Sequence, residues 1–183
     1  MDVLPKTDEK EFGLTIYQES LKMQLYFPEK KRMPRLLILA CSQRKRSDRN
    51  ALPAFERYTG VNFQILHKLR REHAFPSDLD VLILSAKYGL LSPETPICAY
   101  DLKMTERRAA ELCAQVSSDL DRHLQEKKYD SVFVNLGKAY LNALALSRNL
   151  KECKVQYATG GIGSKMKQMK EWILRYETTY KNP

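Results

Sequence analysis

Four short polar segments carry most of the candidate chemistry in this chain: CSQRK (41–45), SAKYGLL (85–91), NLGKAY (135–140) and TGGIGS (159–164). CSQRK brings Cys41, Ser42, Arg44 and Lys45. A lysine just past a strand can bind phosphate, or act as a nucleophile where burial or a neighbouring cation lowers its pKa. Lys87 in SAKYGLL stands in the same position, with Ser85, Tyr88 and Gly89. Cys41 is a candidate thiolate nucleophile, but none of these segments holds a histidine to activate it. Asp101, in AYDLKM, is an acid in a loop and a candidate general base. Asn135 offers an amide donor and acceptor, as a reader of a base edge needs, with Lys138 and Tyr140 beside it.

Glycine placement points the same way. Six of the seven glycines fall in YTG (58–60), SAKYGLL, NLGKAY and TGGIGS. Glycine serves where φ is positive or backbone must approach something closely. In TGGIGS, Thr159, Gly160, Gly161 and Gly163 precede an apolar helical series that starts at Ile162, with Lys165 one turn in. A glycine-rich helix start exposes backbone N–H groups to an anion. The spacing matches neither a Walker A loop nor G-x-G-x-x-G. Tyr58, Thr59 and Gly60 form a further loop. Tyr58, Tyr88, Tyr100 and Tyr140 are candidate stacking faces for a base.

Something must hold these loops together. RLLILA (35–40), LDVLILS (79–85) and YDSVFVNL (129–136) are apolar runs of the kind buried on both faces of a sheet, and CKVQYA (153–158) is a weaker fourth. Helical patterns fill the gaps. Val61, Ile65 and Leu69 recur by four. Thr105 can cap a helix with Leu112, Val116, Leu120 and Leu124 on one face. A helix is expected from Lys138 through ALALSRNL, and another carries Ile162, Met166, Met169, Ile173 and Tyr176, with Trp172 packing on it. Alternating strands and helices imply βαβ units: a three-layer αβα domain over 35–183 with a mostly parallel central sheet, Rossmann-like in outline. In such a sheet the strands' carboxyl ends share one edge, where ligands bind. All four polar segments should meet there.

Composition bounds the rest. The chain has 183 residues and a formal net charge of +9. Residues 1–34 carry equal numbers of acidic and basic side chains, so the excess lies in 35–183. A basic domain suits a phosphate-bearing partner, and RKRSDR and HKLRR are its densest clusters. Residues 1–34 read as an appended arm, with a short helix or strand near Thr15–Phe27, and as a candidate surface for a protein partner. No apolar run reaches the roughly 20 residues of a membrane span. The N-terminus lacks a signal peptide's apolar core. The expected location is cytoplasmic, without disulfides. His67, His73 and His123 lack ligand spacing, so no metal and no cofactor is expected.

The ordered set ACSQRK, YTG, LSAKYGLLSPETPICAYDLKM, VNLGKAY and GGIGSKMKQMKEW resembles the YaaA-like (peroxide stress) family of small bacterial proteins, over about 35–175. That resemblance implies DNA binding and protection of DNA and protein from peroxide, with a link to iron homeostasis. This chain is shorter, lacks that family's long C-terminal extension and has its own N-terminal arm. CSQRK is also similar, more distantly, to the Cys-Ser-x-x-Lys segment in the lysine-transferring domain of archaeosine synthase. That likeness touches only Cys41, Ser42 and Lys45 and implies a uracil-DNA-glycosylase-like fold. Three functions fit these features. One is an enzyme of lyase, glycosidase or transferase type acting on a nucleobase or nucleotide, free or within nucleic acid. The second is a non-catalytic DNA-binding stress protein, and the third an interaction module of a larger assembly.

Overall fold

The structure, a computed structural model, describes residues 33–175. The arm, its candidate partner surface and Tyr176 of the last helical series lie outside the described residues, apart from Met33 and Pro34. In chain order the elements are β1 (Arg35–Ala40), β2 (Leu52–Pro53), α1 (Ala54–Arg57), α2 (Val61–Arg71), β3 (Leu79–Ser85), β4 (Gly89–Leu91), β5 (Pro96–Ile97), α3 (Glu106–Glu126), β6 (Ser131–Asn135), α4 (Lys138–Leu141), a 3-10 turn (Asn142–Leu144), α5 (Asn149–Glu152), β7 (Val155–Tyr157) and α6 (Ile162–Leu174).

The apolar runs become the centre of a five-stranded sheet in the order β4-β3-β1-β6-β7. β3, β1, β6 and β7 are parallel; β4 folds back antiparallel on β3. Alternation along β1 divides the core. Leu37 and Leu39 join Phe63, Leu66 and Leu69 of α2 and Met169, Trp172 and Ile173 of α6. Leu36 and Ile38 join Leu112, Val116, Leu120 and Leu124 of α3 and Ala143, Leu144 and Leu150. Residues 33–175 therefore form a three-layer αβα sandwich, as the alternation of patterns predicts. The connections from β1 to β3 and from β3 to β6 run in opposite directions along the sheet. Right-handed crossovers then put α2 and α3 on opposite faces.

Several local expectations hold in detail. Thr105 caps α3, its hydroxyl accepting from Arg108 N–H at 3.1 Å, and α3 buries the expected leucine–valine face. Others shift. The buried face of α2 is Phe63, Leu66 and Leu69, with Val61 and Ile65 only half-buried. In α6, Ile162 is 71% exposed, because the helix starts at the open edge of the sheet. The helix expected over 138–150 is broken. Asp121 of α3 accepts from Ser147 Oγ at 2.5 Å and from the N–H groups of Arg148 (3.1 Å) and Asn149 (3.0 Å), and so caps a new start there. Burial raises the Asp121 pKa, but these three donors outweigh it and hold the carboxyl below its usual range.

The sheet's two ends are fixed by buried arginines. Arg35, at the start of β1, reaches Asp78 through Nε at 2.9 Å and donates to Trp172 O (3.0 Å) and Ile173 O (3.2 Å) at the end of α6. Arg57 serves the other end, where the site lies.

Candidate functional site

β1 is the strand from which successive connections diverge, so the crevice beyond its carboxyl end and that of β6 is the topological switch point of the sheet. A cavity of about 590 Å³ opens there. Its lining comes from four stretches far apart in sequence: 40–44, 60–63, 135–137 and 160–165. Cys41, Ser42, Arg44, Gly60, Asn135, Gly160 and Lys165 all line it. No carboxylate does.

Two helices start at this cavity. α2 begins after Gly60 and α6 after Gly161, and neither has a side-chain cap. Their first helical bonds run from Gln64 N–H to Gly60 O and from Lys165 N–H to Gly161 O, both 3.0 Å. The preceding N–H groups have no intrahelical acceptor, and both helix dipoles present their positive ends. Arg44 is exposed, and Lys165 is half-buried, with Nζ donating to Leu136 O at 2.7 Å. That bond leaves Lys165 two N–H donors.

The cavity floor is an amide pair. Asn135 is buried, and its Nδ2 lies 3.4 Å from Asn62 Oδ1 and 3.4 Å from Met169 Sδ. The other amide atoms of Asn62 and Asn135 find no partner among the described residues. Whichever way the pair is turned, it keeps one donor and one acceptor open. Asn62 is a residue the sequence reading missed; it lies on a helix face, where only its three-dimensional neighbour gives it meaning.

Beside the cavity, across Cys41, lies a phenol and lysine cluster. Cys41 Sγ is 3.2 Å from Tyr140 OH. Tyr58 OH and Tyr100 OH are 2.8 Å apart, and Tyr100 OH is 2.8 Å from Ser85 Oγ. Lys45 Nζ stands 4.3 Å from the Tyr100 ring centroid; Lys87 Nζ is 5.7 Å from it and 5.0 Å from that of Tyr88. Lys45 is placed by an antiparallel bridge to Tyr58, reinforced by Thr59 N–H to Arg44 O at 3.1 Å. Thus Lys45, Lys87 and Asn135 do share one edge.

Other expected residues take different places. Tyr58 is wholly buried against Phe63, at 5.2 Å between centroids, so its ring offers no face to a base. Tyr88 is half-buried, with Tyr100 edge-on at 5.4 Å. Asp101 is exposed, makes no hydrogen bond or ion pair among the described residues and is not in the cavity lining, which removes the basis for a general-base role there. Lys138 is exposed at the start of α4 and also outside the lining. Gly89 has φ +74° and turns the β3–β4 hairpin. Gly160, at φ +81°, needs to be glycine. Gly161 and Gly163 have open space where a Cβ would stand. Thr159 is held by Gln168, which accepts from its N–H (3.1 Å) and donates to its carbonyl (2.9 Å). HKLRR lies toward the far end of α2, away from the cavity. There Lys68 pairs with Glu72, and Arg70 sits 4.1 Å from the Phe55 ring centroid.

Burial pushes the Tyr58 phenol up to about 12, and burial also raises Tyr100 and Tyr140 well beyond the ordinary phenol value. Above pH 10 the unfolded chain therefore loses phenolic protons that the fold retains. Stability should fall as pH rises through the 10–12 window. In an absorbance titration these tyrosines should ionise only with unfolding, not as a separate step in the native state. A fully native protein with every tyrosine titrating near pH 10 would contradict the buried hydroxyl chain.

A model of a family of unknown function, DUF6884, matches residues 36–171. The chain belongs to that family. The DUF6884 span runs from β1 into α6 and so contains every residue that lines the cavity. No curated protein matches the chain. Among solved structures, this DUF6884 chain is similar to AF0587, a protein of unknown function, with 14% identity and a TM-score of 0.48. The match covers 77% of this chain and 44% of that one, so the chain spans less than half of that structure's length. Among the described residues, no helix is long and apolar enough to cross a membrane. Nor do three His, Cys, Asp or Glu side chains gather there so as to hold a metal ion.

Proposed function

We propose that this protein binds a nucleobase-bearing phosphate ligand, a nucleotide or a nucleic-acid strand, in the crevice between β1 and β6. One observation carries the reading: two uncapped helix starts open on a single cavity that holds Arg44 and Lys165 and no carboxylate. Phosphate belongs at the helix starts. The Asn62–Asn135 pair supplies the donor and acceptor for a base edge. A volume of about 590 Å³ suits a ligand of nucleotide size. The likeness of the loops to YaaA-like proteins supports the same class. Cys41, which lines the cavity, is the candidate reacting group if the ligand is turned over, with Lys45 and Lys87 beside it to stabilise charge.

Isothermal titration at low salt with the four nucleoside 5′-monophosphates and a short single-stranded oligonucleotide tests this. At least one should bind, and Arg44→Gln should weaken it about five-fold at unchanged melting temperature, since one exposed charge-assisted hydrogen bond is lost. Strand binding should also weaken steeply with salt. No binding by any of these ligands at millimolar concentration would end the reading.

A further inference from the structure

The phenol and lysine cluster has more donors than its described neighbours satisfy. Ser85 Oγ accepts N–H from Lys87 (3.2 Å) and Tyr88 (3.1 Å), which fills both of its lone pairs. Its own proton therefore goes to Tyr100. The Tyr100–Tyr58 contact uses one phenolic proton. Among the described residues, no oxygen is left to accept the second phenolic proton. Cys41 stands beside both phenols, but its sulfur is a weak acceptor and already meets Tyr140 OH.

The lysines add to the surplus. Among the described residues, Lys45 Nζ makes one long hydrogen bond, to Gln43 O at 3.3 Å, and Lys87 Nζ makes none. Neither forms an ion pair among the described residues, although eight other lysine and arginine contacts to carboxylates occur there. Asp101, next to Tyr100 in sequence, pairs with neither. Aromatic faces attract both ammonium groups but accept little from their N–H bonds. Two cations converging on one ring, with a spare phenolic O–H and no acid, is an arrangement complementary to an anion.

We infer that Lys45, Lys87 and Tyr100 form a second anion subsite, and that the ligand carries at least two phosphates. One would lie at the starts of α2 and α6, the other over Tyr100, with Cys41 between them. This rests on the phosphate reading of the cavity and narrows it. A nucleoside monophosphate fills only half of the site. Two phosphates occur either in a free nucleotide or as successive linkages of a strand, and the protein groups that meet them are the same.

The test compares four probes by titration calorimetry on the full chain: a nucleoside 5′-monophosphate, its 5′-diphosphate, its 3′,5′-bisphosphate and a 5′-phosphorylated dinucleotide. On the wild type, at least one two-phosphate probe should bind ten-fold or more tightly than the monophosphate. A preference for the diphosphate or bisphosphate indicates a free nucleotide; a preference for the dinucleotide indicates a strand. In Lys45→Gln/Lys87→Gln that gain should vanish, leaving the two-phosphate probes within about two-fold of the monophosphate on the same variant. If the monophosphate binds and a second phosphate adds nothing, the subsite is wrong and the cavity reading stands. If no probe binds, both fall. The wild-type comparison is decisive even should the double variant fold poorly.

Discussion

Arg57→Met should destabilise the protein by about 3 kcal/mol, because a buried guanidinium that meets backbone oxygens cannot be removed without stranding them. Arg57 is wholly buried in α1 and forms no ion pair among the described residues. Its Nε donates to Ile97 O at 3.3 Å, Nη1 to Arg46 O (2.6 Å) and Asp48 O (3.1 Å), and Nη2 to Asn50 O (2.5 Å). Three of those carbonyls belong to the loop that leaves β1 through Cys41, Arg44 and Lys45. This loop has almost no regular structure of its own, so Arg57 supplies from inside the hydrogen bonds that a strand would draw from a neighbour. Arg57→Lys, with three donors and no planar fork, should cost less, about 1–2 kcal/mol. Urea denaturation measures both. A loss below about 1 kcal/mol for Arg57→Met would mean that water replaces the guanidinium and that the loop stands without it. Ligand affinity should fall with the loop's order, even though Arg57 lines no part of the cavity.

Arg57 also marks where sequence reading stops. In the sequence it is one basic residue among many, twelve positions after Lys45. Nothing in its neighbours AFE and YTG says that it is buried. The sheet was far more legible, since RLLILA and LDVLILS can be buried on both faces only in a covered, mainly parallel sheet. Once the strands are placed, the polar segments after them must share an edge, which is why Cys41, Arg44, Asn135, Gly160 and Lys165 were readable as one site. What the pattern could not give were the partners that exist only in three dimensions. Asn62 sits on a helix face facing Asn135, Asp121 breaks a helix some 26 residues further along the chain, and Tyr58 is drawn inside by Phe63 and by the hydroxyl chain. Charge misled for the same reason. RKRSDR is one of the two densest basic clusters, yet Arg46 is engaged with Asp48 at 3.0 Å, while Arg44 lines the cavity and Lys45 stands at the Tyr100 ring. Net charge states how much positive potential there is, not which part of it is already answered.

Gly60 shows how tightly the cavity is built, and Gly60→Ala should lower ligand affinity at least about ten-fold while costing about 1–3 kcal/mol of stability. A Cβ on residue 60 would lie 2.5 Å from Ser42 Cβ and 3.1 Å from its Oγ. The backbone at Gly60 is extended, with φ −67° and ψ 169°, so alanine meets no torsional penalty and the effect is steric. Ser42 cannot swing away, because the crowded atom is its Cβ. Its Oγ also accepts from Gly60 N–H at 3.1 Å and donates to Arg44 O. Relief must therefore separate the 41–44 loop from the start of α2, two touching walls of the cavity. A double-mutant cycle with Ser42→Gly isolates the clash. Removing the Ser42 side chain should be harmful alone yet should recover stability in the Gly60→Ala background, a coupling of about 1 kcal/mol or more. Strictly additive losses would show that residues 42 and 60 do not touch. Gly163→Ala is the contrasting case: its Cβ would project into open space within α6, and the gain in helix propensity should add about 0.5–1 kcal/mol. If that variant is more stable but binds nucleotide less well, the added methyl group is meeting the ligand, which would place the phosphate at the first turn of α6 rather than at α2.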